Sequence, residues 1–197
     1  MSSPLDQASL NQLFVEARSH NDFHDKAVTP EQITALYDLM KMAPTSANCS
    51  PARFVFVTSD AGKKRLLPFL MESNQPKTQA APVCVIIAHD TKFYDLIPQL
   101  FPHDPGAREW FTGSEEFAAQ TAMRNGSLQG AYLMLAARAL GLDVGPMSGF
   151  DAQGVDQEFF PDGRFKSNFL CNIGHGNMDA VFGRSPRLTF DEACQIV

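Results

Sequence analysis

Pro82-Val83-Cys84-Val85-Ile86-Ile87-Ala88 is apolar at every position and rich in β-branched residues. A strand with one solvated face alternates polar and apolar side chains, so an unbroken apolar run predicts a central strand covered on both faces. Working outward, residues 53–58 (RFVFVT) and 167–173 read as further strands. Between them lies the longest helical stretch, residues 114–140, with Gly141 as its C-terminal stop. Leu128, Ala131, Tyr132, Leu135 and Ala139 spread its apolar surface beyond one stripe, which predicts burial on more than one side.

Shorter helices fill the rest. One precedes Arg18, with Leu10, Leu13, Phe14 and Ala17 on one face. Another starts at Thr29-Pro30-Glu31-Gln32, where Thr29 caps, Pro30 suits the first helical position and Gln32 completes a capping box. Its apolar face is Ile33, Leu36, Tyr37 and Met40. Residues 61–71 read as a helix, Asp151 caps one running to residue 160, and Thr189 with Glu192 opens a last one. Residues 95–113, rich in proline and aromatics, read as irregular. Strands and helices do not alternate one to one, so the expectation is an α+β fold around one sheet, a single domain over residues 1–197.

Of the 197 residues, 44% are hydrophobic and 19% charged, the mix of a folded globular chain. The net charge of −6 repels phosphate backbones, so no nucleic-acid partner is expected, and an anionic ligand needs locally placed cations. Cys49, Cys84, Cys171 and Cys194 form no CxxC pair, which argues against a disulfide framework or structural zinc and for a reducing, cytoplasmic setting. The opening MSSPLDQASL lacks a basic segment followed by an apolar one, so no signal peptide is expected, and no apolar run is long enough for a membrane span.

The familiar catalytic signatures are missing. There is no GxxxxGK[ST] loop and no HExxH; Gly174-His175-Gly176 begins a dinucleotide fingerprint, but Asp179 occupies the third glycine position. Ser148 lacks the spacing of a nucleophile elbow. Five dispersed histidines offer no metal-ligand pair, so no metal is expected. Ala43-Pro44-Thr45-Ser46-Ala47-Asn48-Cys49-Ser50-Pro51 is a stiff, small, polar loop between a helix and a strand. It is either an ordinary connection or a surface of hydroxyls, an amide and backbone N–H groups presented to a ligand.

That loop resembles the flavin-contacting loop of the FMN-dependent nitroreductase family, with Ser50 and Ala52 standing where the family commonly has Gln and Trp. Four more segments agree in order. Ala17-Arg18-Ser19-His20-Asn21-Asp22-Phe23 resembles the N-terminal phosphate motif, with Ala17 and Asn21 replacing two basic residues. Asn74 and Lys77 fall where the family contacts the flavin ring and ribityl chain. The stretch from Gly141 to Phe150 resembles the segment beside the ring, and Gly183-Arg184-Ser185-Pro186-Arg187 the C-terminal phosphate motif. The wording of residues 39–53, of Arg108-Glu109-Trp110-Phe111 and of residues 145–150 is similar to the family's malonic semialdehyde reductase branch, enzymes of pyrimidine breakdown.

The resemblance implies a nitroreductase-like fold, a mainly antiparallel central sheet flanked by helices, and a homodimer whose interface includes the long helix and holds FMN between subunits. It implies an FMN-dependent NAD(P)H oxidoreductase that reduces malonic semialdehyde to 3-hydroxypropionate by ping-pong hydride transfer. The alternatives are a broad nitro, quinone or enoate reductase and a flavin-binding module without turnover. Arg18, Ser19, Arg184 and Arg187 are the implied phosphate ligands, since guanidinium forks suit a phosphate dianion. Thr45, Ser46, Asn48, Asn74, Lys77, Pro146, Met147, Ser148 and Gly149 complete the implied flavin site. A cation at Lys77 stabilises the negative charge of reduced flavin, and Ser148 and Gly149 act through their backbone. Trp110 is either a core anchor or, with Arg108, a pocket wall for an anionic substrate. No side chain is assigned as nucleophile.

Overall fold

The computed structural model describes residues 3–197. Its sheet has four strands, β1 (Ala52–Val57), β2 (Val83–Asp90), β3 (Asp143–Met147) and β4 (Phe165–Gly174), in the order β1-β2-β4-β3. Every neighbouring pair is antiparallel. All eight residues of β2 are buried, as its apolar run predicts. Unbroken runs of this kind are commonest in parallel sheets; here antiparallel strands achieve it because helices cover both faces.

Side chains alternate across a strand. Val83, Val85 and Ile87 enter one core with Leu36 and Met40 of α2 (Pro30–Met40) and Leu133, Ala136 and Ala137 of α7 (Glu115–Ala139). Cys84, Ile86 and Ala88 enter the opposite core with Leu66 of α3 (Asp60–Leu66) and Val155 of α8 (Ala152–Phe159). A third cluster joins Cys49, Phe93, Ile97, Phe111, Ala118 and Ala122 over the N-terminal half of α7.

Several local signals act as read. Thr29 and Gln32 form the capping box of α2, Asp151 caps α8, and Thr189 and Glu192 box the short α9 (Phe190–Ala193); Ser114, not singled out in the sequence, caps α7. Gly141, at φ 72°, takes the left-handed conformation that ends α7. Two expectations need correction. The helix before Arg18 is only α1 (Gln7–Leu10), followed by a wider π-type turn at Asn11–Val15. Residues 95–113 are not irregular: they contain α5 (Ile97–Leu100) and a 3₁₀ turn at Pro105–Arg108, each with proline in its first turn, and α6 (Glu109–Thr112). β3 is a strand despite Gly145-Pro146, because it lies at the sheet edge, where a missing ladder N–H is tolerated. The last helix of the central group, α4 (Gln75–Ala80), follows a 3₁₀ turn at Glu72–Asn74.

Candidate functional site

The edge of β3 organises the site. His20 N donates to Val144 O at 2.9 Å, and Ser19 bridges Val144 in parallel, so residues 18–21 run along that edge. The approach requires Gly145, since a Cβ there would lie 2.3 Å from the His20 carbonyl oxygen. The buried His20 ring sits with Nε2 3.3 Å from Asp143 Oδ1, while Asp143 Oδ2 accepts from Gly176 N at 2.9 Å. Arg18 and Ser19 therefore stand on a fixed piece of backbone.

The C-terminal segment closes over them. Arg18 donates to Phe182 O, and Arg184 Nη2 donates to Ala17 O at 3.1 Å. Together they frame a cavity of about 380 Å³ whose wall includes Arg18, Arg138, Arg184 and Arg187 beside Ser19 and Asn21. No carboxylate lines it. In a chain of net charge −6, four guanidinium groups around one void are a local reversal of charge. Arg138 has no counterpart among the sequence candidates. Its only signal is a single charge in Ala136-Ala137-Arg138-Ala139-Leu140, which near a helix C-terminus reads as an ordinary complement to the helix dipole.

A second wall adjoins through Asn21, whose Oδ1 lies 3.4 Å from Lys77 Nζ. The buried Asn74 donates through Nδ2 to Gly149 O at 2.8 Å, and Met71 N donates to the same oxygen at 3.1 Å. A Cβ on Gly149 would lie 2.6 Å from Met71 Sδ and 2.8 Å from Asn74 Nδ2, so a larger residue there would displace both side chains. Met147 is buried, with Thr78 on its sulfur, while Pro146 and Ser148 are exposed. Arg18, Ser19, Asn74, Lys77, residues 146–149, Arg184 and Arg187 are thus brought to one side of the molecule.

Thr45, Ser46 and Asn48 are not. Ser46 N donates to Asn125 Oδ1 (2.9 Å), Ser50 N to Thr45 Oγ1 (3.1 Å) and Asn48 Nδ2 to Leu100 O (2.7 Å), all beside the middle of α7 or the segment packed on it. Asn125 and Arg138 are thirteen positions apart on one helix, about 20 Å along its axis. The loop is strained: Ala47 and Asn48 have φ 49° and Ser50 has φ 37°. Non-glycine residues hold such angles only where surrounding structure imposes them, often at functional sites. Cys49 within it is buried, and burial pushes its thiol up to about 11 against a lowering bond from Thr45, so it is no nucleophile near neutrality.

Arg108 and Trp110 lie with this second group. Arg108 Nη2 is 3.3 Å from Asp95 Oδ1, and its guanidinium lies 5.5 Å from the Tyr94 ring centroid. Asp95 Oδ2 is 3.5 Å from Arg164, which also grips the buried Asp90 with two nitrogens, and Arg53 completes that cluster. Trp110 is 58% exposed and meets Phe101 edge-on at 6.4 Å, so it is not a core anchor. Among the described residues, no group of His, Cys, Asp and Glu could hold a metal ion, and no helix is long and apolar enough to cross a membrane.

Comparison with known proteins gives a consistent result. The Nitroreductase family profile matches residues 15–175. A Rhodopseudomonas palustris (strain TIE-1) protein, provisionally named NADH dehydrogenase/NAD(P)H nitroreductase, is 58% identical over 197 residues, covering 100% of both chains. A Stenotrophomonas maltophilia (strain R551-3) protein with the same provisional name is 57% identical over 196 residues, again covering 100% of each. Among solved structures, a provisionally assigned nitroreductase of Exiguobacterium sibiricum 255-15 in complex with FMN superposes with TM-score 0.87 at 20% identity, covering 100% of this chain and 99% of that one. An enone reductase of gut-bacterial fatty-acid saturation, CLA-ER, shares the fold with TM-score 0.83 at 19% identity, covering 98% of this chain and 100% of that one.

Proposed function

Because the chain belongs to the nitroreductase family, we propose that it is an FMN-dependent NAD(P)H oxidoreductase whose physiological substrate is malonic semialdehyde. The observation that carries the flavin assignment is the cavity walled by four arginines, whose wall residue Asn21 accepts a hydrogen bond from Lys77. The residues fit the cofactor's chemistry. A phosphate monoester dianion matches guanidinium groups unopposed by any carboxylate. An extended polar chain and ring match the wall beyond, where an amide, an ammonium and open backbone groups alternate.

Arg18, Ser19, Arg184 and Arg187 would hold the phosphate, and Asn74, Lys77 and residues 146–149 the ribityl chain and ring. When bound, FMN supplies hydride transfer from NAD(P)H to the substrate in a ping-pong exchange. The protein's part is position and charge. Lys77 would supply a cation to the bound ring, which would favour the reduced state. The backbone of Ser148 and Gly149, held by Asn74 and Met71, would orient the ring. Cys49 would not act as a nucleophile, since its thiol is buried and held protonated.

We also propose a homodimer in which a second copy supplies Thr45, Ser46 and Asn48. What supports this is the separation of that strained loop from the arginine cavity, and the apolar side chains that α7 leaves exposed, Phe117, Met123, Leu128 and Tyr132. The same arrangement would bring Arg108 and Trp110 over the open face of the partner's flavin. A cytoplasmic setting agrees with the four unpaired cysteines.

Arg108 is the residue through which the substrate class is tested. A short aldehyde acid needs a cation for its carboxylate, and Arg108 would exchange Asp95 for it. Arg108→Ala is expected to raise the KM for malonic semialdehyde at least tenfold while kcat with a neutral quinone holds; an unchanged KM overturns the substrate assignment. One observation favours a second reading, a broad nitro or quinone reductase: the charge of Arg108 is already met by Asp95, which leaves less positive field for an anionic substrate. In that case neutral acceptors turn over faster than the semialdehyde.

A further inference from the structure

One residue of the arginine cavity has no assigned role. Arg138 sits on the last turn of α7, half-buried, with one hydrogen bond, from Nη1 to Leu13 O at 3.2 Å. Its Nε is buried without a partner, and among the described residues no carboxylate lies within salt-bridge distance. Asp143, the nearest acidic influence, is already engaged by His20 and by Gly176 N. Burial and the neighbouring charge of Arg184 both act against the charged form of Arg138. A half-buried guanidinium that is short of partners and faces like charge is costly unless an anion completes it. Ala17, on the same cavity wall, offers only a methyl group where a further cation would have room.

We propose that Arg138 is a direct ligand of the cofactor's phosphate monoester and supplies from α7 the charge that the N-terminal segment lacks at Ala17. The inference rests on the flavin reading above and adds a residue to it. It gives the cavity charge from two kinds of element. Arg18, Arg184 and Arg187 stand on terminal segments, whereas Arg138 stands on a helix buried in the core. Gln12 Nε2 also donates to Arg138 O at 2.6 Å. The N-terminal helix is therefore tied to the turn that carries Arg138, and phosphate occupancy would tighten that junction.

The competing role is purely structural, with Arg138 pinning Leu13, and affinity for two flavins separates the roles. Apoprotein is titrated with FMN and with riboflavin, which lacks the phosphate, and flavin fluorescence is followed. Arg138→Gln is expected to weaken FMN by roughly 10- to 100-fold, the range for losing a charge-assisted hydrogen bond, and to leave riboflavin nearly unchanged. Arg138→Lys, which keeps the charge but not the fork, falls between. Ala17→Arg in the Arg138→Gln background recovers FMN affinity. Inorganic phosphate raises the melting temperature of wild-type apoprotein, and less so that of Arg138→Lys. Equal loss of both flavins, or an FMN affinity untouched in Arg138→Gln, overturns the proposal and leaves the flavin reading standing. A wild-type protein that takes up neither flavin overturns both. Should Arg138→Gln fail to fold, the Arg138→Lys titration and phosphate shift decide: no selective loss of FMN counts against the ligand role.

Discussion

Lys77 links the two walls of the site through Asn21, and it carries the clearest electrostatic expectation at the level of single residues. A cation beside a ring that gains negative charge on reduction stabilises the reduced form, and removing it lowers the reduction potential. Lys77→Met should lower the two-electron potential of the bound flavin by about 30 mV or more, since that shift corresponds to roughly the energy of one such interaction. Spectroelectrochemistry reads it directly, and a potential equal to wild type would place the ammonium away from the ring. The single-residue scale also shows what sequence alone could reach. Arg18, Lys77, Gly149 and Arg184 stand in segments with recognisable wording, and the chain brings them together. Arg138 left no such trace, and His20 and Asp143, though inside such segments, were given no role there. Their significance arises from contacts such as Arg138 with Leu13 and His20 with Asp143, separated by more than a hundred positions, and no local pattern records these.

Elements explain where the candidates were placed. The apolar run of β2 and the capping residues at Thr29, Asp151 and Thr189 were legible because each acts through neighbours a few positions away. β3 was not, since Gly145-Pro146 imitates a turn until the sheet edge is known. That edge is also where the site depends most on one atom's absence. Gly145→Ala would set a Cβ 2.3 Å from the His20 backbone oxygen, and backbone cannot move aside as a flexible side chain would. We expect a loss of about 1–3 kcal/mol in stability from this overpacking, together with weaker FMN binding, because Arg18 and Ser19 move with His20. Urea denaturation and a flavin titration report the two effects. A stability loss with wild-type FMN affinity would show that residues 18–21 do not position the phosphate site.

For the whole molecule, the decisive feature is the division of the candidate residues between two regions. The arginine cavity, Lys77 and Gly149 form one region; Thr45, Ser46, Asn48, Arg108 and Trp110 form the other, bound to the middle and N-terminal half of α7. The sequence motifs placed Thr45, Ser46 and Asn48 in one flavin site with Asn74 and Lys77; the separation within one chain depends on where α7 lies across the sheet, which no motif records. If a second copy reunites them, assembly and cofactor retention must fail together. Leu128→Glu, on the exposed apolar side of α7, is expected to convert a dimer to a monomer in sedimentation and to release FMN on gel filtration. A monomer that retains FMN would refute the shared site.

The central claim is that this chain holds FMN and cycles it between NAD(P)H and an acceptor. It is tested most directly by the visible spectrum of FMN-reconstituted protein without oxygen, recorded before NADPH or NADH, after it, and again after malonic semialdehyde. The account predicts a protein-bound oxidised flavin band that bleaches on adding the nucleotide and returns stoichiometrically with the aldehyde acid. A protein that binds no flavin, or binds it without bleaching by either nucleotide, would contradict the account.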